Sequence, residues 1–233
     1  MTIISHSHKF LFVHIYKCGG TSFEKLLLPF ARKTDKLRLS PLTAKLYSAC
    51  SYAEDFLSFG FNKGTNGGLL FSGLHKHATL LEIDSYLGES ANTYKVISLI
   101  RNPVDWIVSL YSYICSSPSH HLNSRVVNMP ITLFLDNFFE LGLITQSEFL
   151  TSSVKRDPGQ IMLHRLESAA SNLSTIFQHL NLPSHQISHA NMPRLNITPR
   201  TLFNNKLVQD EVANYTAFYE LFSEDLHLWN SIR

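Results

Sequence analysis

Two stretches of the chain repeat one pattern, an almost continuous apolar run that leads through a short turn into residues with helical spacing. In the first stretch, residues 10–15 are mostly apolar, and two glycines and two hydroxyl residues follow at positions 19–22. A short apolar run bounded by turn residues is typical of a buried strand, and a hydroxyl residue often opens a helix. The pattern therefore predicts a strand, a glycine turn and a helix that begins near Thr21.

The second stretch, residues 94–114, has the same order and clear signals for the start of its helix. Asn102 is a natural N-cap, Pro103 suits the first helical position, and Asp105 suits the positive first turn. Four apolar residues then recur at helical spacing and are expected to face the core: Ile107, Leu110, Tyr111 and Ile114. Arg101 is thereby placed at the carboxyl end of the predicted strand.

Helical patterns also occur outside these two stretches. A capping-box pattern that starts at Thr79 and a C-cap at Gly88 predict a helix with His77 just ahead of it. Helical spacing predicts further helices over residues 131–139 and 161–180. A final helix carries an apolar stripe that is expected to face the core, namely Leu207, Val208, Val212, Tyr215 and Tyr219.

The repeated strand–helix order predicts an α/β domain of three layers, with a P-loop-like, mainly parallel central sheet flanked by helices and a site at the carboxyl ends of the strands. The 233 residues, 44% hydrophobic and 16% charged, fit one domain over residues 1–233. Segments 34–68 and 116–158 are expected to be variable loops on the side of the site where a substrate, or acceptor, would bind. The helix over 131–139 is interpreted as a lid or acceptor wall, unless packing alone explains its aromatic residues.

Charge and cysteine content narrow the class of protein. A net charge of +2 gives no general indication of a nucleic-acid or membrane partner, and the basic residues between 33 and 45 either meet an anionic glycan or solvate a face. The cysteines are few and widely spaced, at Cys18, Cys50 and Cys115, which fits a reducing compartment. No long apolar run precedes the first strand, so we expect no signal peptide or membrane anchor and a cytoplasmic protein. The oligomeric state is open.

The first turn has the composition of an anion cradle. Glycines let backbone N–H groups approach a phosphate closely, Lys17 adds a charge, and the helix start adds unpaired donors and a positive dipole end. An ordinary glycine turn between a strand and a helix has the same composition. At the second turn, the guanidinium of Arg101 and the hydroxyl of Ser109 would be able to share a phosphate. The alternative there is a surface arginine and a helix-interior serine.

A pair of histidines, His75 and His77, lies between these two turns. If the residues around them form a strand, both side chains project from the same face. The ordinary pKa of histidine suits it to accept the proton of an attacking hydroxyl near neutral pH. Two alternatives stay open, a helix-capping or core histidine pair and half of a metal site.

Taken together, the lysine–glycine turn, the His-x-His pair and Arg101 with Ser109 resemble the sulfotransferase superfamily. The likeness is strongest to its heparan-sulfate 2-O-sulfotransferase-like branch and the related bacterial proteins. The resemblance implies transfer of a sulfuryl group from 3′-phosphoadenosine 5′-phosphosulfate (PAPS) to a hydroxyl acceptor, with a carbohydrate as the expected class. It implies in-line displacement without a metal and release of 3′-phosphoadenosine 5′-phosphate (PAP).

The resemblance also implies roles for individual residues. His77, beside His75, would be the general base, and Lys17 would stabilise the departing phosphate. The 5′ end of the donor would be held by Lys17, Cys18, Gly19, Gly20, Thr21 and Ser22. Its 3′-phosphate would be held by Arg101 and Ser109. Arg200 is interpreted either as a further phosphate contact or as an ordinary loop cation.

The chain departs from the family's usual pattern at three positions. Tyr16 stands where proline is usual, Cys18 where threonine or serine is usual, and Trp106 where arginine is common. A thiol beside Lys17 and a helix start is expected to have a lowered pKa and to be prone to oxidation. Trp106 in place of arginine either shifts the contacts with the acceptor or only packs.

Two other function classes remain as alternatives. A P-loop kinase would carry its lysine after the glycines, whereas Lys17 precedes them, which argues against magnesium–ATP chemistry. A nucleotide-binding module without catalysis would keep Lys17, Arg101 and Ser109 and would leave His77 dispensable. Nucleotide preference and the effect of replacing His77 separate these classes.

Overall fold

The structure is a computed structural model, and it describes residues 2–30, 77–157, 159–183 and 205–232. Two of the predicted site residues, His75 and Arg200, lie outside the described residues. The predicted variable loop at 34–68 lies outside them as well.

The described part of the chain forms one four-stranded sheet. Its strands are β1 (Ile3–Ser5), β2 (Phe10–Val13), β3 (Lys95–Ile100) and β4 (Ile161–Arg165), in the spatial order β1-β2-β3-β4. β1 pairs antiparallel with β2, whereas β2, β3 and β4 run parallel. The prediction of an α/β fold with a mainly parallel sheet is thereby confirmed.

Helices follow or precede these strands. The α-helices in the described residues are α1 (Gly20–Leu27), α2 (Leu80–Leu87), α3 (Pro103–Ser116), α4 (Asn123–Val126), α5 (Ile131–Asp136), α6 (Gln146–Phe149), α7 (Leu173–His179), α8 (Asn205–Ala213), α9 (Thr216–Leu221) and α10 (Ser223–Ser231). Short 3₁₀ turns occupy Leu28–Phe30, Gly88–Thr93 and Leu166–Ser168. None of the helices in the described ranges combines the length and the apolar character needed to cross a bilayer.

The sheet is covered on both faces, because successive side chains of a strand point to opposite sides. Phe10 and Phe12 of β2 pack into the larger hydrophobic cluster, which contains residues of α1 and α3. Leu11 and Val13 of the same strand pack into a smaller cluster with Leu80 of α2. This burial on two sides explains why the strand has an almost continuous apolar run.

Local capping signals predicted two helices well. Asn102 precedes α3, and its side-chain oxygen accepts hydrogen bonds from the backbone N–H groups of Val104 and Asp105 at 3.1 and 3.4 Å. Thr79 precedes α2, where the Thr79 hydroxyl and the Glu82 carboxylate form the reciprocal bonds of a capping box. The four residues predicted to face the core from α3 are all buried.

The predicted helix over 161–180 is wrong in its first part. Residues 161–165 form β4, which pairs with β3 in parallel, with His164 opposite Leu99. The helix begins only at Leu173, in α7. Pairing with an existing strand outweighs local helical spacing here, because the backbone of β4 completes the hydrogen bonds along the edge of β3.

The predicted final helix is also divided, into α8, α9 and α10, and its apolar stripe is only partly correct. Val212 is buried, but Leu207 is 64% exposed and Tyr219 is 48% exposed. Phe218 and Phe222 are buried in the core instead. The breaks between the helices rotate the apolar face, so one straight stripe does not describe it.

Candidate active site

The loop between β2 and α1 lies at the carboxyl end of β2 and has an unusual backbone. Lys17 has φ +63° and Gly19 has φ +70°. Glycine tolerates this region freely, whereas a lysine rarely adopts it. A side chain in a sparsely populated backbone conformation is held there by its surroundings, and such residues concentrate at functional sites.

Gly20 allows α1 to begin very close to the end of β2. A Cβ atom added to Gly20 would lie 1.9 Å from Cδ2 of the buried His14 ring. The backbone N–H groups of Ser22 and Phe23 donate to the carbonyl oxygen of Gly19, which starts the helix. The predicted order of strand, glycine turn and helix is confirmed, with Thr21 half-buried and Ser22 buried in the first turn.

Lys17 and Arg101 come from separate loops and converge. The Arg101 guanidinium approaches the backbone carbonyl oxygen of Lys17, with Nη1 at 3.5 Å. Burial, with a smaller effect of the Arg101 charge, lowers the pKa of Lys17 to about 8. Two cationic side chains at one loop give it a positive charge, which favours an anionic ligand.

The ammonium of Lys17 also contacts helix α3. Its Nζ lies 4.3 Å from the centre of the Tyr113 ring, a cation–π contact. Ser109 is half-buried and precedes Tyr113 by four residues in the same helix, so the two residues share a face. This face of α3 is therefore turned towards the lysine loop.

His77 is brought to the same loop from a distant part of the sequence. Its Nδ1 lies 2.8 Å from the carbonyl oxygen of His14, the residue that follows β2. A carbonyl oxygen only accepts hydrogen bonds, so this contact assigns the proton of a neutral His77 to Nδ1 and the lone pair to Nε2. The His77 ring lies 5.8 Å from the ring of Tyr16, which precedes Lys17.

The expectation of an activated thiol at Cys18 is wrong. Cys18 is buried, and burial raises its pKa well above the ordinary value. Its Sγ–H donates to the side-chain oxygen of Gln146 at 3.1 Å. The thiol points into the protein, so neither Lys17 nor the start of α1 stabilises an exposed thiolate.

Two of the unusual positions, Tyr16 and Trp106, form one packed unit. Their rings stack at 5.5 Å with an interplanar angle of 18°, and the indole N–H of Trp106 donates to the backbone oxygen of Tyr16 at 2.8 Å. Trp106 is fully buried, and the Tyr16 hydroxyl donates to the carbonyl oxygen of Ile144 at 2.8 Å. Trp106 therefore packs beneath the lysine loop, which is the second of its two sequence-based interpretations.

The segment 116–157 is less of an open loop than expected. Phe134 and Phe138 are fully buried in the larger hydrophobic cluster, so packing explains these two aromatic residues. Sequence reasoning missed Gln146 in this segment, whose side-chain amide contacts both Cys18 and Arg101. A lone glutamine in a polar stretch carries no local signal of such a role.

Metal ligation receives no support within the described ranges, where no group of three or more histidine, cysteine, aspartate or glutamate side chains has a metal-binding arrangement. The structure brings together Lys17, Arg101 and His77 around one loop and turns the helix face with Ser109 towards it. These elements can hold an anion and accept a proton.

Comparison with known proteins agrees with this arrangement. A family model described as the sulfotransferase family matches residues 1–230. Neither the curated proteins nor the solved structures yielded a match. Because the family match covers almost the whole chain of 233 residues, the chain belongs to the sulfotransferase family and is an enzyme of sulfuryl transfer.

Proposed function

We propose that the protein transfers the sulfuryl group of PAPS to a hydroxyl acceptor, with a carbohydrate as the acceptor class, and that its sheet and first loop form a P-loop-like donor site. The observation that carries the proposal is the convergence of Lys17 and Arg101 at the loop after β2, with Arg101 Nη1 3.5 Å from the Lys17 carbonyl oxygen. Sulfotransferases generally use PAPS as donor. When bound, PAPS supplies a sulfuryl group that is activated by its phosphate leaving group.

The residues present fit such a donor. Lys17 and the N–H groups at the start of α1 would hold the 5′ end, where negative charge grows on the departing oxygen. Arg101 and Ser109 would hold the 3′-phosphate, because Arg101 directly follows β3 and Ser109 lies in α3, both beside the lysine loop. The positive backbone φ of Lys17 supports a preorganised loop.

His77 is the proposed general base. The hydrogen bond from Nδ1 to the His14 carbonyl oxygen orients the ring and leaves the lone pair on Nε2. A hydroxyl attacks sulfur more readily as Nε2 accepts its proton, and such assistance contributes about 10²- to 10⁴-fold in rate. Among the proposed donor and base residues, His75 and Arg200 lie outside the described residues.

The first test is nucleotide preference without metal. PAP, ADP and ATP are titrated by calorimetry against the protein and against Arg101→Ala. We expect the protein to bind PAP most tightly and Arg101→Ala to lose that preference, since Arg101 would hold the 3′-phosphate. Indifference to the 3′-phosphate would contradict the proposal. A preference for ATP that appears when the titrations are repeated with magnesium would contradict it as well and would favour a kinase.

The second test separates catalysis from binding. A screen of glycans and phenols with labelled PAPS first identifies an acceptor that the unchanged protein sulfates. His77→Ala is expected to bind PAP as the unchanged protein does and to sulfate that acceptor about 10²- to 10⁴-fold more slowly. His121→Ala is a matched control, because His121 is exposed and lies outside the proposed site. Unchanged turnover in His77→Ala would remove His77 as the base.

A further inference from the structure

Gln146 connects the two loops that carry the proposed donor contacts. It is 1% exposed, and its side-chain oxygen accepts hydrogen bonds from the backbone N–H of Arg101 at 2.8 Å and from the thiol of Cys18 at 3.1 Å. Its side-chain N–H₂ donates to the backbone oxygen of Arg101 at 2.9 Å. One amide is therefore bonded both to the residue after Lys17 and to Arg101 itself.

The bonds to Arg101 resemble those of a neighbouring strand. β3 ends at Ile100, and the backbone N–H and C=O of the next residue would otherwise lack the ladder partners of the strand. The amide of Gln146 satisfies both groups. It thereby extends regular pairing by one residue and fixes the backbone from which the Arg101 side chain projects.

Gln146 is itself held from the opposite side. Its backbone N–H and that of Ser147 donate to the carboxylate of Asp225 in α10, at 3.0 and 2.7 Å. Asp225 is 1% exposed. A capping box at Thr145 fixes the same turn of α6. The position of the amide is therefore set by two independent sets of bonds.

We propose that Gln146 is a positioning residue that sets the spacing between the lysine loop and Arg101, so that one nucleotide can engage both. This inference rests on the proposed function, in which Lys17 and Arg101 hold opposite ends of the donor. Gln146 contacts neither end itself. Replacing Gln146 should therefore reduce the extra affinity that a ligand gains by making both phosphate contacts at once. The second contact adds to the affinity only when the spacing of the two sites matches the ligand.

The test compares ligands with one and two phosphate contacts. PAP, adenosine 5′-monophosphate and adenosine 3′-monophosphate are titrated by calorimetry against the unchanged protein and Gln146→Met, which removes the amide and keeps a similar length. We expect Gln146→Met to weaken PAP binding about tenfold or more, and each mononucleotide less than about threefold. A residue that only supports the fold would weaken all three ligands alike or none.

Gln160→Met is a matched control. The side chain of Gln160 also bonds two backbone groups, since it accepts from the N–H of Asp157 and donates to the oxygen of Asn92, both at 2.7 Å. It precedes β4 and so lies at the amino end of the parallel strands, away from the proposed site. We expect it to leave the affinities for all three ligands unchanged.

The outcomes separate the inference from the proposed function. Equal weakening of all three ligands by Gln146→Met, or no weakening, would overturn the role of Gln146 while the preference of the unchanged protein for PAP stands. Failure of the unchanged protein to prefer PAP over both mononucleotides would overturn the proposed function and the inference with it. If Gln146→Met does not fold, Asp225→Asn, which weakens the anchor of Gln146, should give the same selective loss at a smaller size.

Discussion

Lys17 combines a strained backbone with a pKa that burial and Arg101 lower to about 8. Near pH 7 its ammonium is charged in most molecules of the free protein, so the affinity for PAP should be highest there. Above pH 8 binding must first restore the proton, and the affinity should fall by up to about tenfold per pH unit. Calorimetric titration with PAP at pH 7, 8, 9 and 9.5 measures this decline.

Lys17→Arg provides the control for that profile, because arginine stays charged over the whole range. Its affinity for PAP is expected to be independent of pH above 7, whatever its absolute value. A profile for the unchanged protein as flat as that of Lys17→Arg would show that the charge of Lys17 does not support binding.

The buried thiol of Cys18 leads to a second prediction at this scale. Because burial raises its pKa and its Sγ–H is bonded to Gln146, alkylation by iodoacetamide at pH 8 should be far slower in the folded protein than in urea. Mass spectrometry of the labelled peptides identifies the site. Rapid labelling of Cys18 in the folded protein would mean that the loop opens readily.

Whether the contacts of a residue could be predicted depended on how far away its partners lie in the sequence. The convergence of Lys17, Arg101 and His77 could be predicted, because each stands in a local motif beside a strand or helix end. The contacts of Gln146 could not, since its partners lie 45 and 128 residues away and nothing near it in the sequence indicates them. The contact between Tyr16 and Trp106 was missed for the same reason, although both positions were noted as unusual.

Among the elements, the junction of β2 with α1 depends on the absence of a side chain at Gly20. Gly20→Ala would place a methyl group on the buried His14 ring, and we expect it to lower the free energy of unfolding by about 1–3 kcal/mol. In a His14→Ala background the same change should cost much less, because the ring is gone. Urea denaturation of the four proteins gives the two costs.

A second glycine tests the specificity of this coupling. Gly88 has φ +55°, and nothing lies within 4 Å of an added Cβ, so Gly88→Ala costs backbone strain and causes no clash. Its cost should be the same with and without His14→Ala. An equal cost of Gly20→Ala in both backgrounds would contradict the proposed contact.

Elements with local end signals were predictable, and those that depend on partners were not. α2 and α3 carry capping residues that bond within four positions, so the sequence alone contains the necessary information. β4 has five residues and forms only because β3 offers an unpaired edge, which no local pattern shows. The prediction of one final helix was wrong for a similar reason, because core packing at Phe218 and Phe222 decides where the chain turns between the helices.

At the scale of the whole molecule, a buried ion pair joins α2 to the segment before β4. The Arg156 guanidinium bonds both carboxylate oxygens of Asp84, and the two side chains are only 2% and 0% exposed. Arg156→Met would leave the Asp84 carboxylate buried without its cation, and we expect a loss of about 3–5 kcal/mol in the free energy of unfolding. Urea denaturation measures this loss.

An exposed ion pair of the same type gives the comparison. Lys206 and Asp210 lie four residues apart in α8 with side chains 77% and 50% exposed. Lys206→Met is expected to cost less than about 0.5 kcal/mol. Similar costs for the two methionine variants would show that burial does not decide the strength of the Arg156 contact.

The bond between Gln146 and Asp225 has a consequence for the newly made chain. Synthesis delivers the loop after β2 first, then Arg101 and Gln146, and Asp225 only much later. Structure begins to form from the amino end while translation continues. The spacing between the lysine loop and Arg101 is therefore fixed only after α10 has been synthesised. A premature stop codon ahead of Asp225 would therefore yield a protein that contains Lys17 and Arg101 and still lacks the anchor of the residue between them, Gln146.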